Sequence, residues 1–598
     1  MSQEFAHWPN LATMFFQQAA RLPDKEFLWE KKEGTYIALT WQQVADQVIA
    51  VARGLLHQGV TPGDRVVLVS ENRPDWLIVD LAIMAVGAIT VPAYTTNTTD
   101  DHRHIVSDSG AKAVVVSSAR LSLPLLPAVA SSADTSVVIC MDDELDADST
   151  VATSVLSWEN FLQDGSDRTE DIIALAASWP RDQTACIIYT SGTGGLPKGV
   201  MLHHGAILHN CTGAEDALRE IGLGTEVFLS FLPLSHSYEH MAGQFFPIAI
   251  GAEIYYAEGI GALGSNMLEA RPTIMTAVPR LYETLHQRIS RGVREQGGLK
   301  EKLFNTAFTL GAKRYHAPSS LSLIDRLKDR VLDKLVRDKV RARFGGRLKA
   351  LVSGGAPLNP DIGLFFTALG LRILQGYGQT ESAPLISVNR AISAKMHTVG
   401  PIVRNTEVRI AEDGEILCRG ELVMQGYWRN PKTTDETIVD GWLHTGDIGC
   451  FDEDGQLMIT DRKKDIIVNS GGDNVAPQRV EGILCVELEI GQTMVYGDRH
   501  PHLVALVVPD DTWLADWKKA TGKQGDLADL REDKELRAAM GAAIDRANTT
   551  MSNIEKVRHF ILAEEAFSIE NGEMTPTMKV KRHTLKDRYG EQLEALFH

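Results

Sequence analysis

Cys186-Ile187-Ile188-Tyr189 runs into Thr190-Ser191-Gly192-Thr193-Gly194-Gly195-Leu196-Pro197-Lys198-Gly199-Val200. The first four residues read as the end of a buried strand. The loop after them combines hydroxyls, glycines and one lysine, which is the set a polyphosphate needs. Glycine lets backbone N–H groups approach the oxygens, Ser and Thr add donors, and Lys adds charge. It is not a Walker A loop, which has Gly before the Lys and Ser or Thr after it; here Pro197 precedes Lys198 and Gly199 follows. A plain hairpin would explain the glycines but not the hydroxyls and the lysine.

The pattern around this loop repeats. Arg65–Ser70, Ala113–Ser117, Ser136–Cys140, Thr273–Val278 and Leu348–Val352 read as further strands, with helical stretches such as Gln42–His57 and Asp75–Val86 between them. Such alternation predicts an α/β fold of helix-covered parallel sheets. Arg280 to Arg343 is charge-rich and helical in pattern, with one break at Ala317–Ser320, and reads as a surface helical insertion, with a partner-binding element as the alternative. From Val399 to Ile459 short strands and turns predict a small antiparallel sheet or barrel, a β-rich subdomain over about 385–460. After Asp461-Arg462-Lys463-Lys464-Asp465 a second α/β pattern begins, with strands at Ile466–Val468, Gln492–Tyr496 and Leu503–Val508 and a helix over Leu530–Asn548. The expected domains are 1–463 and 464–598.

The 598 residues are 44% hydrophobic and 23% charged, ordinary globular usage that excludes a disordered or disulfide-scaffold chain. About 150 residues per domain would give about four units, more than the motif boundaries allow. Lys+Arg 60 against Asp+Glu 78 gives a net charge of −18, which disfavours a nucleic-acid partner. Six cysteines without a CxxC pair argue against zinc-ribbon and thioredoxin chemistry and suit a reducing cytoplasm. The first residues lack a basic segment followed by an apolar one, so no signal peptide is expected. The longest apolar run, Leu81–Ala93, is too short to span a bilayer. The expectation is a cytoplasmic protein, at most peripheral at a membrane.

Four further stretches carry chemistry. Ser353-Gly354-Gly355-Ala356-Pro357 is a glycine-rich turn at a strand's carboxyl end, the ligand-facing position in α/β sheets. Gln375-Gly376-Tyr377-Gly378-Gln379-Thr380-Glu381 offers an aromatic face for a purine and a carboxylate for a hard cation. Asp440 through Gly449 contains Asp447, whose carboxylate can accept from two vicinal hydroxyls at once, and the run ends in Arg462-Lys463-Lys464. Asn571-Gly572-Glu573-Met574-Thr575-Pro576-Thr577-Met578-Lys579-Val580-Lys581-Arg582 places two lysines near the C-terminus.

In this order, with Leu232-Pro233-Leu234-Ser235-His236 and Val278-Pro279-Arg280, these motifs resemble the adenylate-forming superfamily of acyl- and aryl-CoA synthetases, peptide-synthetase adenylation domains and luciferases. They are most similar to the long-chain fatty-acid–CoA ligases, over roughly Thr40 to Arg582. Gly194 stands where the family has Thr or Ser, and Asp440 where it has Asn.

The resemblance implies ATP, Mg²⁺ and coenzyme A as cofactors and co-substrates, a fatty acid as substrate, and acyl-CoA, AMP and diphosphate as products. It implies two helix-covered sheet subdomains plus a small barrel-like one, hinged to an α+β lid. By the same resemblance Thr190, Ser191, Gly192, Thr193, Gly194 and Lys198 hold the β- and γ-phosphates. Gly354, Gly355, Ala356, Gln375, Gly376, Tyr377 and Gly378 surround adenine, Thr380 contacts the α-phosphate, and Thr193 and Glu381 hold the metal. Asp447 and Arg462 bind ribose, and His236 lies near the acyl carboxylate. Lys579 is the catalytic lysine, with Lys581 the alternative. Lys464 is the hinge, and the loop with Gly471 and Gly472 faces the site in the second half-reaction. A fatty-acyl-AMP ligase serving a carrier protein and a medium-chain or aryl-CoA synthetase are the alternatives at this point. Chain length, with Phe245, Phe246 and Tyr255 as candidate tunnel residues, stays open. So do monomer against homodimer and any peripheral membrane contact.

Overall fold

The computed structural model describes residues 7–142, 153–190, 196–575 and 578–598. Two eight-stranded sheets dominate it. The first runs in the order Gly426–Tyr427, Lys198–His203, Thr184–Thr190, Ile89–Ala93, Arg65–Val69, Ala113–Val116, Val137–Cys140, Ser154–Ser157. From Thr184–Thr190 onward its neighbours are parallel. The strands are rich in Val and Ile, whose branched side chains suit a pleated surface buried on both faces.

The second sheet runs Ser387–Val388, Ile373–Tyr377, Ala350–Ser353, Ile274–Ala277, Val227–Ser230, Glu253–Tyr256, Glu26–Lys32, Thr35–Thr40, and all but its two edge pairings are parallel. One core cluster joins the sheets, drawing Val66 and Leu68 from the first and Phe228 and Ile254 from the second. Helix Pro74–Ala85 lies in that core; every residue but Asp75 is buried. A helix apolar on all sides needs such a position. The long apolar run of the sequence is thus split: this helix ends, Gly87 turns the chain at φ 76°, and Ile89–Ala93 enters the sheet. Among the described residues no helix is long and apolar enough to cross a membrane.

The β-rich stretch forms a five-stranded antiparallel sheet built on Trp442–Phe451, with Glu415–Arg419 on one side and Ile438–Val439 and Leu457–Arg462 on the other. Gly426–Tyr427 leaves it and pairs instead with Lys198–His203 of the first large sheet. Two other sequence expectations shift. The 280–343 region has a second break at Gly297 and Gly298, both at positive φ, between helices Pro279–Gln296 and Gly298–His316. The helix expected over Leu530–Asn548 starts at Lys534, because the Asp533 carboxylate caps it by accepting from the Glu535 and Leu536 N–H groups.

Residues beyond the Lys463–Asp465 turn build their own core. A three-stranded sheet of Ile490–Tyr496, Leu503–Pro509 and Val557–Leu562 carries helices Pro477–Leu484 and Lys534–Asn548 against Val495 and Val507. Helix Arg582–Glu594 covers Met494, Leu506 and Val508 on the other face. Polar contacts join this unit to the large one. Arg291 donates to Asp510 at 2.7 Å, Gln287 to the Ile490 carbonyl at 3.2 Å, and Asn359 to the Gly482 carbonyl at 2.8 Å.

The helical insertion is anchored from within. Arg337 is fully buried and donates to the Ala368 and Ala307 carbonyls at 2.7 Å and to Asp329 Oδ1 at 2.6 Å. Around it Ala307, Leu310, Leu332 and Val336 form a small apolar cluster. Removing one partner of a buried pair strands the other charge. Arg337→Ala is therefore expected to destabilise the large unit by about 3–5 kcal/mol, read as a lower denaturant midpoint. An unchanged midpoint would mean that Arg337 is not the anchor.

Candidate active site

Open α/β sheets place ligands outside the carboxyl ends of their strands. Thr190 ends strand Thr184–Thr190, Tyr377 ends Ile373–Tyr377, Gly354 follows Ala350–Ser353, and His236 lies just beyond Val227–Ser230. Two of the glycines are required by close approach. A Cβ on Gly354 would sit 2.9 Å from the Tyr238 ring, and one on Gly378 would sit 1.8 Å from the Pro384 carbonyl oxygen. Gly355 takes the left-handed φ of 81° that lets the turn close.

Asp447 is the meeting point of three units. It faces Arg462 across the small antiparallel sheet. Its Oδ1 accepts from Arg462 Nε at 3.1 Å and its Oδ2 from the Tyr377 hydroxyl at 2.8 Å. Its own N–H donates to Thr445 Oγ1 at 3.1 Å, which fixes the backbone. Burial and then the Asp447 charge push the Tyr377 phenol far above its ordinary range, so it stays a donor.

Lys579, on the C-terminal unit, lies within electrostatic range of this carboxylate. It closes a tight turn in which Thr575 N–H donates to the Lys579 carbonyl at 2.8 Å and Lys579 N–H to Thr575 Oγ1 at 3.0 Å. The neighbouring Met578 has φ 60°. The side chain stands in a cleft: solvent reaches it, yet protein surrounds it closely enough to strip much of its hydration. That desolvation and the Arg462 charge pull the ammonium down to about 8, while Asp447 supports it. Lys581 instead occupies the cap position before helix Arg582–Glu594. Burial and the Lys579 charge push His236 down to about 3, so the ring is neutral. Its Nδ1 accepts from the Tyr238 N–H at 3.2 Å, which puts the proton on Nε2.

A second link runs beside the loop that follows Thr190. The Lys198 ammonium lies over the Tyr427 ring, 5.1 Å from its centroid, and the Tyr427 hydroxyl donates to Glu381 Oε1 at 2.8 Å. Buried Thr380 shares a 3.0 Å hydrogen bond with the Ser237 hydroxyl. Tyr427 and Ser237 were not singled out by sequence. Tyr427 enters because the displaced Gly426–Tyr427 strand pairs with Val200 and Met201, a placement that local pattern does not show.

The remaining expected residues are placed as follows. Gln375 is buried and donates to the Met396 carbonyl at 2.7 Å, holding a loop. Gly376 lies between it and Tyr377, and Ala356 is exposed at the turn's rim. Lys464 is exposed on the turn between the small sheet and the C-terminal unit. Gly471 and Gly472 lie in an exposed turn, where Gly471 N–H donates to Asn469 Oδ1 at 2.9 Å. Among the described residues neither shares a hydrogen bond or ion pair with the Asp447–Lys579 cluster. Ser191, Gly192, Thr193 and Gly194 lie outside the described residues. No group of three His, Cys, Asp or Glu side chains gathers as a metal cage among those described. One carboxylate, Glu381, is the donor set that suits Mg²⁺ completed by phosphate oxygens and water.

Residues 15–428 match the family described as AMP-binding enzyme, and residues 464–598 match the AMP-binding enzyme C-terminal domain. The chain belongs to the AMP-binding enzyme family. It is 35% identical to long-chain-fatty-acid–CoA ligase FadD15 of Mycobacterium bovis, over 98% of this chain and 97% of that protein. It is 31% identical to the peroxisomal long chain acyl-CoA synthetase 6 of Arabidopsis thaliana, over 99% of this chain and 87% of the relative. The fold is shared with the A domain of a carboxylic acid reductase from Segniliparus rugosus, solved with AMP and a co-purified carboxylic acid. That likeness has a TM-score of 0.76 and 20% identity, over 98% of this chain and 94% of that one.

A lysine held at about 8 is charged below that pH and loses its proton as the pH rises through it, well before a lysine of the ordinary value 10.5. Competitive acetylation followed by mass spectrometry should therefore show Lys579 gaining reactivity near pH 8. Asp447→Asn should move that midpoint lower still, by removing the charge that supports the ammonium. A Lys579 midpoint near 10.5 would contradict this account of the cleft.

Proposed function

We propose that this protein is an AMP-forming fatty-acid–CoA ligase that prefers long-chain acids and runs two half-reactions at one site. The observation that carries the reading is Lys579, which the C-terminal unit places within electrostatic range of Asp447, Arg462 and His236. In the first half-reaction a carboxylate oxygen attacks the α-phosphorus of ATP, the bond to the β-phosphate oxygen breaks, and diphosphate leaves. Both reactants are anionic, so positioning and charge neutralisation carry the catalysis.

Asp447 accepts from the ribose hydroxyls, with Arg462 beside it. The Tyr377 ring lies on adenine, next to the Gly354–Ala356 turn. The Thr380 hydroxyl donates to the α-phosphate, and Lys198 with the loop after Thr190 takes the β- and γ-phosphates. Neutral His236 donates its Nε2–H to the acyl carboxylate and orients it without adding a charge. Lys579 draws negative charge from the oxygens between the carboxylate and the α-phosphate. Glu381, with Thr193, would hold Mg²⁺, which neutralises phosphate charge when bound.

In the second half-reaction the CoA sulfur attacks the activated carbonyl, the thiol proton is lost, and AMP departs. Lys579 has then left, the C-terminal unit having rotated about Lys464 to bring the Gly471-Gly472 turn to the site. The polar seam of Arg291, Gln287 and Asn359 supports that reading, since polar interfaces separate more readily than apolar ones. Long-chain acids partition into bilayers, so a peripheral membrane contact belongs to this reading.

ATP–diphosphate exchange measured with acids from acetate to oleate should rise toward the long chains. Lys579→Ala should lower exchange by about 10²–10³-fold, or about 2.7–4 kcal/mol, while thioester formation from supplied acyl-adenylate changes little. Equal loss in both halves would remove Lys579 from its role. Arg291→Ala frees one clamp of the seam and should slow exchange more than thioester formation; the reverse order would contradict the rotation.

A further inference from the structure

The outer face of the helical insertion carries a feature the ligase chemistry does not use. Helix Leu323–Leu332 continues through Asp333–Arg337 into Asp338–Arg343. Its inner side buries Asp329, Leu332, Val336 and Arg337. On its outer side Leu323 is 84% exposed, Ile324 66%, Leu327 66%, Val331 50% and Leu335 49%. At 3.6 residues per turn these five fall within an arc of roughly 120°. Single exposed leucines need no explanation, but a contiguous apolar stripe marks an interaction surface.

The charges around the stripe are sorted by sign. Every acid of the helix is engaged by a cation: Asp325 by Lys313 at 2.9 Å, Asp329 by Arg314 at 2.8 Å, and Asp333 and Asp338 by Arg341 at 2.8 and 2.6 Å. Arg326, Lys328, Arg330 and Lys334 are exposed, and none forms an ion pair among the described residues. By the same count Arg330 borders the stripe on one side and Lys328 on the other, and Lys334 stands within its arc. A chain of net charge −18 therefore presents here an apolar band with a cationic rim.

We propose that this face docks on the surface of an anionic phospholipid bilayer, its apolar side chains entering the interface and its cations meeting lipid phosphates. Apolar burial and electrostatic attraction act together in such helices. A second copy of the chain is the weaker occupant, because a twofold contact would bring the two cationic rims together. The choice of a bilayer over another anionic surface rests on the fatty-acid reading above, since that substrate partitions into bilayers.

The test is co-sedimentation of the full chain with vesicles of phosphatidylcholine and of an equal mixture with phosphatidylglycerol. The protein should bind the mixed vesicles, less so at high salt. Leu327→Glu with Val331→Glu should lower the apparent partition coefficient at least about tenfold. Lys328→Glu with Lys334→Glu should abolish the preference for the anionic vesicles. Acyl-CoA formation from decanoate in vesicle-free buffer should be unchanged in both double variants, which also shows that they fold. No binding by the wild type, or equal binding by wild type and variants, overturns the proposal. So does a dimer that the Leu327→Glu variant dissolves on light scattering while vesicle binding persists. Vesicle binding without acyl-CoA formation by the wild type would overturn the ligase reading and leave the docking surface standing.

Discussion

The Asp447 carboxylate is the constraint on which the site depends. It lies on the small antiparallel sheet, yet one oxygen is held by Tyr377 from the end of a large-sheet strand and the other by Arg462 at the last residue before the hinge. Lys579 comes to the same charge from the C-terminal unit. The small sheet, a large-sheet strand and the C-terminal unit thus each place a polar or charged group around one buried anion. An isolated carboxylate there would be costly, so the donors that satisfy it also set the relative placement of the pieces.

A second cluster of charges lies where the small sheet meets the C-terminal unit. Arg582, which starts the last long helix, pairs with Glu481, and Asp461 and Asp465 lie beside them. Burial pushes Asp461 up to about 6 and raises Glu481 as well, with Arg582 opposing the shift on both. Several carboxylates sharing one guanidinium make a balanced contact rather than a deep one. The apolar area, by contrast, lies mostly inside each unit; Val486 is the C-terminal side chain that packs against a cluster of the large one among the described residues. Under the proposed function, that division would let one nucleotide site serve two reactions in turn, with the lysine present for the first and withdrawn for the second.

Much of this was legible in the sequence because it is local. Val- and Ile-rich runs announce buried parallel strands, and Gly354 and Gly378 mark places where the backbone is closely approached. Asp447, Arg462 and Lys579 could be singled out by motif, but their proximity could not, since 132 residues separate Asp447 from Lys579. Tyr427 was hidden for another reason. A two-residue strand has no periodicity, and whether it joins the small sheet or the large one is decided by tertiary pairing. The insertion reads in sequence as a surface helical segment, with a partner-binding element as the alternative. Its mixture of signs conceals that the acids are engaged by cations while four cations and an apolar stripe point outward.

The most direct test of the central claim is a crystal structure of the full chain with a non-hydrolysable alkyl ester of AMP. The account predicts both ribose hydroxyls on the Asp447 carboxylate, with Arg462 alongside, and Lys579 donating to the oxygens between the alkyl group and the phosphate. An adenosine bound away from Asp447, or Lys581 at the phosphate in place of Lys579, would contradict it.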